Sequence, residues 1–119
     1  MYHGSKNLFG QFLPPAETGN MASGEGERRQ TGYARIYVSM AESTAMEYAV
    51  RGDGAGYLYE VAIDGDAPTL GELRAASGAG AKNKAFQLET ICPLPEQIKI
   101  RRVWRVTKRR GQSVAKMEV

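Results

Sequence analysis

The sequence predicts a single α+β domain made of antiparallel β-strands and a few short helices. The chain has 119 residues, which is the size of one domain with a modest hydrophobic core. Its clearest patterns alternate apolar and polar residues with a period of two, which is typical of strands. Segments with a helical pattern are short and end near glycines. These three observations favour a domain that is rich in strands.

The first part of the chain combines a short apolar start, a long loop, a strand and a helix. Residues 14–32 are mainly proline, glycine, alanine, serine, asparagine and charged residues without a period. A structureless connection of this length is uncommon in a small domain, so we expect a functional loop or a mobile lid. Residues 34–39 predict a strand. We expect Ser43 to cap a short helix that ends at Val50.

The middle of the chain predicts a strand, a turn and a short helix. Residues 56–63 alternate in steps of two and contain tyrosine, valine and isoleucine, which favour strands. Residues 64–66 predict a turn around Gly65. Residues 70–76 predict a helical turn, and a loop over residues 75–81 follows it.

Two more strands complete the predicted domain. Residues 86–92 predict a strand that stops at Pro93 and Pro95. Residues 98–106 show the clearest alternation in the chain. One predicted face of this strand carries Ile98, Ile100, Arg102, Trp104 and Val106, and the other carries Lys99, Arg101, Val103, Arg105 and Thr107.

The composition excludes several classes of protein. With 42% hydrophobic and 24% charged residues, the chain is neither disordered nor a membrane protein. No apolar run approaches the length of about 20 residues that spans a bilayer. A single cysteine, Cys92, excludes an internal disulfide, so we expect a cytoplasmic protein, or one delivered into a target cytoplasm. With one histidine and one cysteine, we expect no metal site.

The C-terminal region is strongly basic although the net charge of the chain is only +3. Such a stretch could contact the phosphates of a polyanion. The alternative is a solvated strand face followed by a basic tail over residues 107–119. The cations in this stretch are Lys99, Arg101, Arg102, Arg105, Lys108, Arg109 and Arg110.

Three short segments carry side chains suited to ligand binding, and the first is at the N-terminus. In the sequence Tyr2-His3-Gly4-Ser5, a hydrogen-bonding ring precedes a glycine that a ligand can approach closely, because Gly4 has no Cβ. The alternative is a frayed terminus with an incidental histidine.

The second segment contains two tyrosines. Tyr37 lies near the end of the predicted strand that finishes at Ser39, and Tyr48 lies on the following helix. Two aromatic faces across a slot would sandwich a flat heterocycle, and stacking contributes roughly 1 kcal/mol per face. The alternative is a pair of core tyrosines.

The third segment contains Gln87 and Glu89. On a strand, these two side chains share one face, so an amide and a carboxylate would point together to the same side of the sheet. The alternative is a solvent-facing pair in which Glu89 forms an ion pair with a nearby lysine or with a basic strand.

Together and in this order, the three segments resemble the histidine–tyrosine–glutamate class of ADP-ribosyltransferases. This class includes the poly(ADP-ribose) polymerases, the diphtheria-type toxins and the rifamycin ADP-ribosyltransferases. Tyr2-His3-Gly4-Ser5 is similar to the first family motif, and Ile36-Tyr37-Val38-Ser39 is similar to the second. Tyr48 is spaced from Tyr37 as in polymerase-type members, and Glu89 resembles the family's glutamate.

The resemblance implies the split antiparallel sheets of that family and a catalytic domain over residues 1–106. It also implies NAD⁺ as co-substrate, held by His3, Gly4, Ser5, Tyr37, Ser39 and Tyr48. His3 would bind the adenosine ribose, and the backbone of Gly4 would hold the carboxamide. The two tyrosines would clamp the nicotinamide ring.

The resemblance further implies the chemistry. Glu89 would grip the nicotinamide ribose and stabilise the positive charge that develops there, with His3 and Tyr37 completing the catalytic set. Gln87 would orient an acceptor. We therefore expect a mono-ADP-ribosyltransferase whose acceptor is a protein, a small molecule or a nucleic acid. The alternatives are an NAD⁺ glycohydrolase and a non-catalytic nucleic-acid-binding module with the same fold.

Overall fold

The computed structural model describes residues 1–12, 34–76 and 84–119. The predicted lid over residues 14–32 and most of the predicted loop over residues 75–81 lie outside these ranges. The described elements are β1 (Tyr2–Ser5), β2 (Val38–Ser39), α1 (Glu42–Val50), β3 (Ala55–Ile63), α2 (Leu70–Ala76), α3 (Lys84–Glu89), β4 (Thr90–Ile91), a 3₁₀ turn (Pro95–Gln97), β5 (Ile98–Thr107) and β6 (Ala115–Glu118).

These strands form one antiparallel sheet in the order β4-β2-β1-β3-β5-β6. The prediction of an α+β domain with antiparallel strands and short helices is confirmed. Strand β3 pairs with β5 over the longest ladder of the sheet, and β1 pairs with β3 along its whole length. In contrast, β1 and β2 share a single residue pair, Tyr2 with Ser39. The sheet is therefore only weakly joined between β1 and β2.

A β-bulge divides the long β3–β5 ladder. Glu60 lies opposite Arg102, whereas the next residue, Val61, lies opposite Ile100, so Arg101 is the extra residue. An extra residue shifts the alternation of side chains on its strand by one position. The two predicted faces of this strand are therefore wrong across the bulge. Ile98 and Ile100 share a face with Val103, and not with Trp104 and Val106.

The bulge keeps apolar residues on the correct side of both halves of β5. On one face of the sheet, the first core cluster consists of Phe12, Ile36, Val38, Tyr59 and Val61. On the other face, the second core cluster lies beneath α1 and consists of Ala45, Ala49, Val50, Leu58 and Val106. Without the bulge, one half of β5 would turn its apolar residues away from its core cluster.

Helix α1 packs with its backbone almost directly on the sheet. A Cβ atom on Gly4 would lie 1.9 Å from the carbonyl oxygen of Ala45, and one on Gly56 would lie 1.9 Å from that of Ala49. Two alanines on the helix thus meet two glycines on neighbouring strands. This contact fixes the distance between α1 and β1, which decides where the residues of α1 are placed.

Several predicted boundaries are confirmed and others are wrong. The predicted elements over residues 56–63, 70–76 and 98–106 correspond to β3, α2 and β5. The predicted strand over residues 34–39 is reduced to β2. The predicted N-cap Ser43 lies inside α1; Ala41 precedes the helix, and its N–H donates to the hydroxyl of Ser39.

The largest correction concerns residues 86–92, which were expected to form a strand. Residues up to Glu89 belong to α3, and only Thr90–Ile91 form a strand. Alanine, glutamine, leucine and glutamate are strong helix formers, and here they outweigh the apolar alternation. The C-terminal segment also differs from a simple tail, because β6 pairs with β5. Within the described ranges, no helix has the length and apolar character needed to cross a membrane.

Candidate functional site

A small cavity of about 80 Å³ lies where β1 and β2 separate, beneath α1 and beside α3. Five of the residues singled out in the sequence line the cavity. His3 and Gly4 come from the first motif, Tyr37 and Ser39 come from the second, and Tyr48 comes from α1. The other lining residues are mostly apolar or aromatic. The lining consists of Tyr2, His3, Gly4, Tyr37, Val38, Ser39, Thr44, Ala45, Tyr48, Phe86 and Thr90.

His3 connects the two strands at the point where they diverge. Its Nδ1 lies 2.6 Å from the carbonyl oxygen of Tyr37. Because a carbonyl can only accept, Nδ1 carries the proton, and Nε2 is the acceptor nitrogen when the ring is neutral. The ring packs edge-on against Phe12, with centroids 5.0 Å apart. His3 is thus held in one orientation from two sides.

Gly4 has a structural role that is independent of any ligand. Its missing Cβ is required by the close approach of α1, as the 1.9 Å distance to the carbonyl oxygen of Ala45 shows. The sequence suggested that the glycine allows a ligand to approach closely, whereas the packing of the helix alone accounts for it. Gly4 nevertheless lines the cavity, so its backbone lies beside the space that a ligand would occupy.

The hydroxyls of Ser5 and Ser39 are used within the protein. The Oγ of Ser5 accepts a hydrogen bond of 3.1 Å from the N–H of Asn7, and that of Ser39 accepts one of 3.0 Å from Ala41. Both residues are buried. Ser39 lines the cavity, whereas Ser5 is not among the lining residues. Of the two, only Ser39 lies in the cavity wall.

Three aromatic side chains surround the cavity. Tyr37 and Tyr48 both line it, as the predicted slot required, and Phe86 joins them from α3. The rings of Tyr48 and Phe86 have centroids 6.4 Å apart and are tilted by 41°. The guanidinium of Arg51 lies 4.4 Å from the centroid of Tyr48. The sequence did not identify Phe86. On the predicted strand, its side chain would share a face with Leu88, away from the face expected to carry the functional residues.

Thr90 is a second lining residue that the sequence did not identify. Its side chain is 2% exposed, and its Oγ1 is buried without a hydrogen-bond partner among the described residues. It pairs with Ser39 across the β2–β4 ladder. Leaving a buried hydroxyl unpaired costs about 1–3 kcal/mol. Within the described residues, no hydrogen bond offsets the cost of burying the hydroxyl of Thr90.

Gln87 and Glu89 do not share a strand face, because both belong to α3. Gln87 is 5% exposed and packs near Gly71 of α2; its Nε2 has no partner among the described residues. Glu89 is exposed at the end of α3, and its carbonyl oxygen accepts a hydrogen bond from the N–H of Met40. Neither residue is among those that line the cavity. Thr90, the residue that follows Glu89 in the chain, does line the cavity.

Two ionisable groups away from the cavity have shifted pKa values. The ammonium group of Lys6 donates a hydrogen bond of 2.7 Å to Asp53 and holds the pKa of that carboxyl below its ordinary value. Burial raises the pKa of Tyr59, whose hydroxyl donates to the carbonyl of Asn7 and accepts from the N–H of Phe9. These pairs tie the chain after β1 to β3.

The basic C-terminal residues are exposed on β5 and beyond it. Arg102 lies 3.8 Å from Glu118, and Lys116 forms an ion pair with Glu42 of α1 and stacks on Trp104. These contacts attach β6 to α1 and β5. In the part of the chain that the structure describes, no cluster of three histidine, cysteine or acidic side chains could hold a metal ion.

Comparison of the chain with protein-family models, with curated proteins and with solved structures finds no match.

Proposed function

We propose that the protein is an NAD⁺-dependent mono-ADP-ribosyltransferase with the split-sheet fold of that family. One observation carries the proposal. Three segments that are distant in the sequence, and that were singled out by their motifs, contribute residues to one cavity. These residues are His3, Gly4, Tyr37, Ser39 and Tyr48. The weak junction between β1 and β2 also agrees with a sheet that divides there.

The cavity suits one end of NAD⁺. Its apolar and aromatic lining matches a flat heteroaromatic ring, which binds well between aromatic faces. Sites that enclose a complete ligand usually measure about 300–1,000 Å³. The cavity measures about 80 Å³, which corresponds to a single ring and not to the whole of NAD⁺. We therefore assign the nicotinamide ring to the cavity, with the rest of the dinucleotide outside it.

The proposed roles combine what the resemblance implies with the positions of the residues. Tyr37, Tyr48 and Phe86 pack against the nicotinamide ring, and the backbone of Gly4 holds its carboxamide. His3, whose ring is fixed by the carbonyl of Tyr37, binds the adenosine ribose. Ser39 shapes the cavity wall, whereas any contact of NAD⁺ with Ser5 requires its hydroxyl to leave the N–H of Asn7.

Glu89 is assigned to the reacting ribose. The bond between C1′ of the ribose and the pyridinium nitrogen breaks, and its electron pair neutralises the leaving nicotinamide. C1′ becomes oxocarbenium-like, and a carboxylate stabilises this charge. The acceptor then attacks C1′ and loses a proton. Because Glu89 is exposed at the end of α3, its carboxylate must turn toward the cavity mouth when NAD⁺ binds.

The acceptor defines the remaining alternatives. With water as acceptor, the same site is an NAD⁺ glycohydrolase. Exposed cations on β5 and after it favour an acidic protein or a polynucleotide as acceptor, or a purely nucleic-acid-binding role. Gln87 could orient an acceptor only if its amide left its position near Gly71. Free ADP-ribose equal to nicotinamide with every acceptor would indicate hydrolysis.

The proposal is tested by measuring nicotinamide release from NAD⁺. We compare wild type with Glu89→Gln, and use Glu96→Gln, an exposed acid in the 3₁₀ turn, as the matched control. We expect a loss of at least about 100-fold for Glu89→Gln and no change for the control. NAD⁺ binding without turnover in wild type would refute the enzyme assignment. Absence of both binding and turnover would refute NAD⁺ as the ligand.

A further inference from the structure

We propose that the hydroxyl of Thr90 hydrogen-bonds the ligand that occupies the cavity and thereby selects a ring with a polar substituent. This inference rests on the proposed function, because it adds a binding residue to the same site. Neither the sequence motifs nor the resemblance identified Thr90.

The hydroxyl of Thr90 makes no hydrogen bond within the described part of the chain. Thr90 Oγ1 is buried and unpartnered among the described residues. Ser39, directly opposite on β2, uses its hydroxyl to hold the start of α1. Thr44 also lines the cavity but is partly exposed, so water can satisfy it. Among the serine and threonine hydroxyls of the cavity wall, that of Thr90 is the one that gains most from a bound ligand.

The backbone of Thr90 is held by its pairing with Ser39 and by Ile91, which pairs with Val38. A rotation about the Cα–Cβ bond moves the hydroxyl to another staggered position, so the hydroxyl can be turned to the cavity without any backbone movement. The rings of Phe86 and Tyr48 are in tilted contact and together form one aromatic wall of the cavity. A ring lying against this wall would bring its substituent beside Thr90, which also lines the cavity.

The hydrogen-bonding capacity of threonine indicates the chemistry of the ligand. A threonine hydroxyl can both donate and accept one hydrogen bond, and a carboxamide offers both partners. A ring without a polar substituent would fill the same apolar space but would leave the hydroxyl unpaired. The cavity should therefore prefer an aromatic carboxamide to a purely apolar ring of the same size. In NAD⁺ this group is the nicotinamide end.

The test separates a binding role from a packing role. Thr90→Val keeps the shape of the side chain and removes the hydroxyl, whereas Thr90→Ser keeps the hydroxyl. Thr107→Val makes the same change at an exposed position of β5 and is the matched control. The Kd of NAD⁺ and of nicotinamide is measured by calorimetry or ligand-observed NMR, and the Tm of each free variant is recorded.

We expect Thr90→Val to weaken binding of both ligands by about 3- to 10-fold, with Thr90→Ser within about 2-fold of wild type. The Tm of free Thr90→Val should equal or exceed that of wild type, because an unpaired hydroxyl is removed. Unchanged affinity in Thr90→Val would overturn the inference and leave the proposed function intact. A large drop in Tm would also overturn it, because the hydroxyl would then have a partner within the protein.

The same data distinguish the two proposals. If wild type binds nicotinamide and NAD⁺ in a Thr90-dependent way but releases no nicotinamide, the inference stands and the enzyme assignment fails. If wild type binds neither compound, both fail.

Discussion

Substitution of Gly4 by alanine should destabilise the protein by displacing helix α1 from the sheet. The added Cβ would lie 1.9 Å from the carbonyl oxygen of Ala45 and 2.8 Å from the backbone nitrogen of Ala49. These are backbone atoms of a helix, so no flexible side chain can move aside. The helix as a whole must shift by roughly 1.5 Å to restore ordinary contact.

The expected loss in the free energy of unfolding depends on the residues that a shift of α1 would disturb. The second core cluster, which includes Val50 and Leu58, is packed between α1 and the sheet. Overpacking a well-packed core costs typically 1–3 kcal/mol, and a backbone clash belongs at the upper end. We expect Gly4→Ala to lower the free energy of unfolding by about 3 kcal/mol. For a domain of this size, that loss lowers the Tm by roughly 10–20 °C.

Gly10 provides a matched control for this substitution. A Cβ on Gly10 would have no atom within 4 Å, and the glycine is exposed. Gly10→Ala should leave the Tm unchanged or raise it slightly, because alanine restricts the unfolded chain more than glycine does. Urea and thermal unfolding followed by far-UV circular dichroism measure both variants. Equal stability of Gly4→Ala and Gly10→Ala would show that α1 does not pack on β1 in this way.

Three further outcomes are expected. Tyr59→Phe should lose about 2 kcal/mol in urea unfolding, because two buried hydrogen bonds disappear; a loss below about 0.5 kcal/mol would contradict them. The pKa of Asp53 is lowered in the folded state, so its contribution to stability is present above the ordinary pKa of 3.8 and is lost as the pH falls through the lower folded value. The stability advantage of wild type over Asp53→Asn should therefore shrink below about pH 3.8, and in a Lys6→Met background it should be smaller, because only the hydrogen bond from the N–H of Ala55 then remains. Phe86→Ala should weaken NAD⁺ binding about 5-fold in calorimetry, whereas Leu88→Ala, whose side chain is 65% exposed, should bind as wild type does; equal losses would argue against an aromatic wall.

Local pattern was sufficient to predict the central elements. The paired strands β3 and β5 and the helix α2 follow from alternation and from glycine and proline positions, because these signals involve neighbouring residues. The bulge at Arg101 could not be predicted, since the alternation of β5 looks uninterrupted in the sequence. Strand β6 was missed for a related reason. Its residues are exposed, and they form a strand only through pairing with β5.

The candidate site was predicted in part. His3, Tyr37 and Tyr48 line one cavity, as the motifs required. Phe86 and Thr90 were missed because their directions depend on where α3 ends, and apolar alternation over residues 86–92 concealed a helix. The strong helix formers in this segment and the packing of Gln87 near Gly71 of α2 both favour the helix.

The single residue pair between β1 and β2 has a consequence for the kinetics of amide exchange. Strands β2 and β4 contain two residues each and hold to the rest of the sheet through Tyr2 and Ser39. Such a short unit can open without unfolding the long β3–β5 ladder, so the amides of residues 38–39 and 90–91 should exchange with solvent faster than those of β3. A ligand in the cavity would contact both sides of this junction. Its binding should therefore slow exchange at residues 38–39 and 90–91 selectively, and the size of that effect would report how strongly the ligand joins the two parts of the sheet.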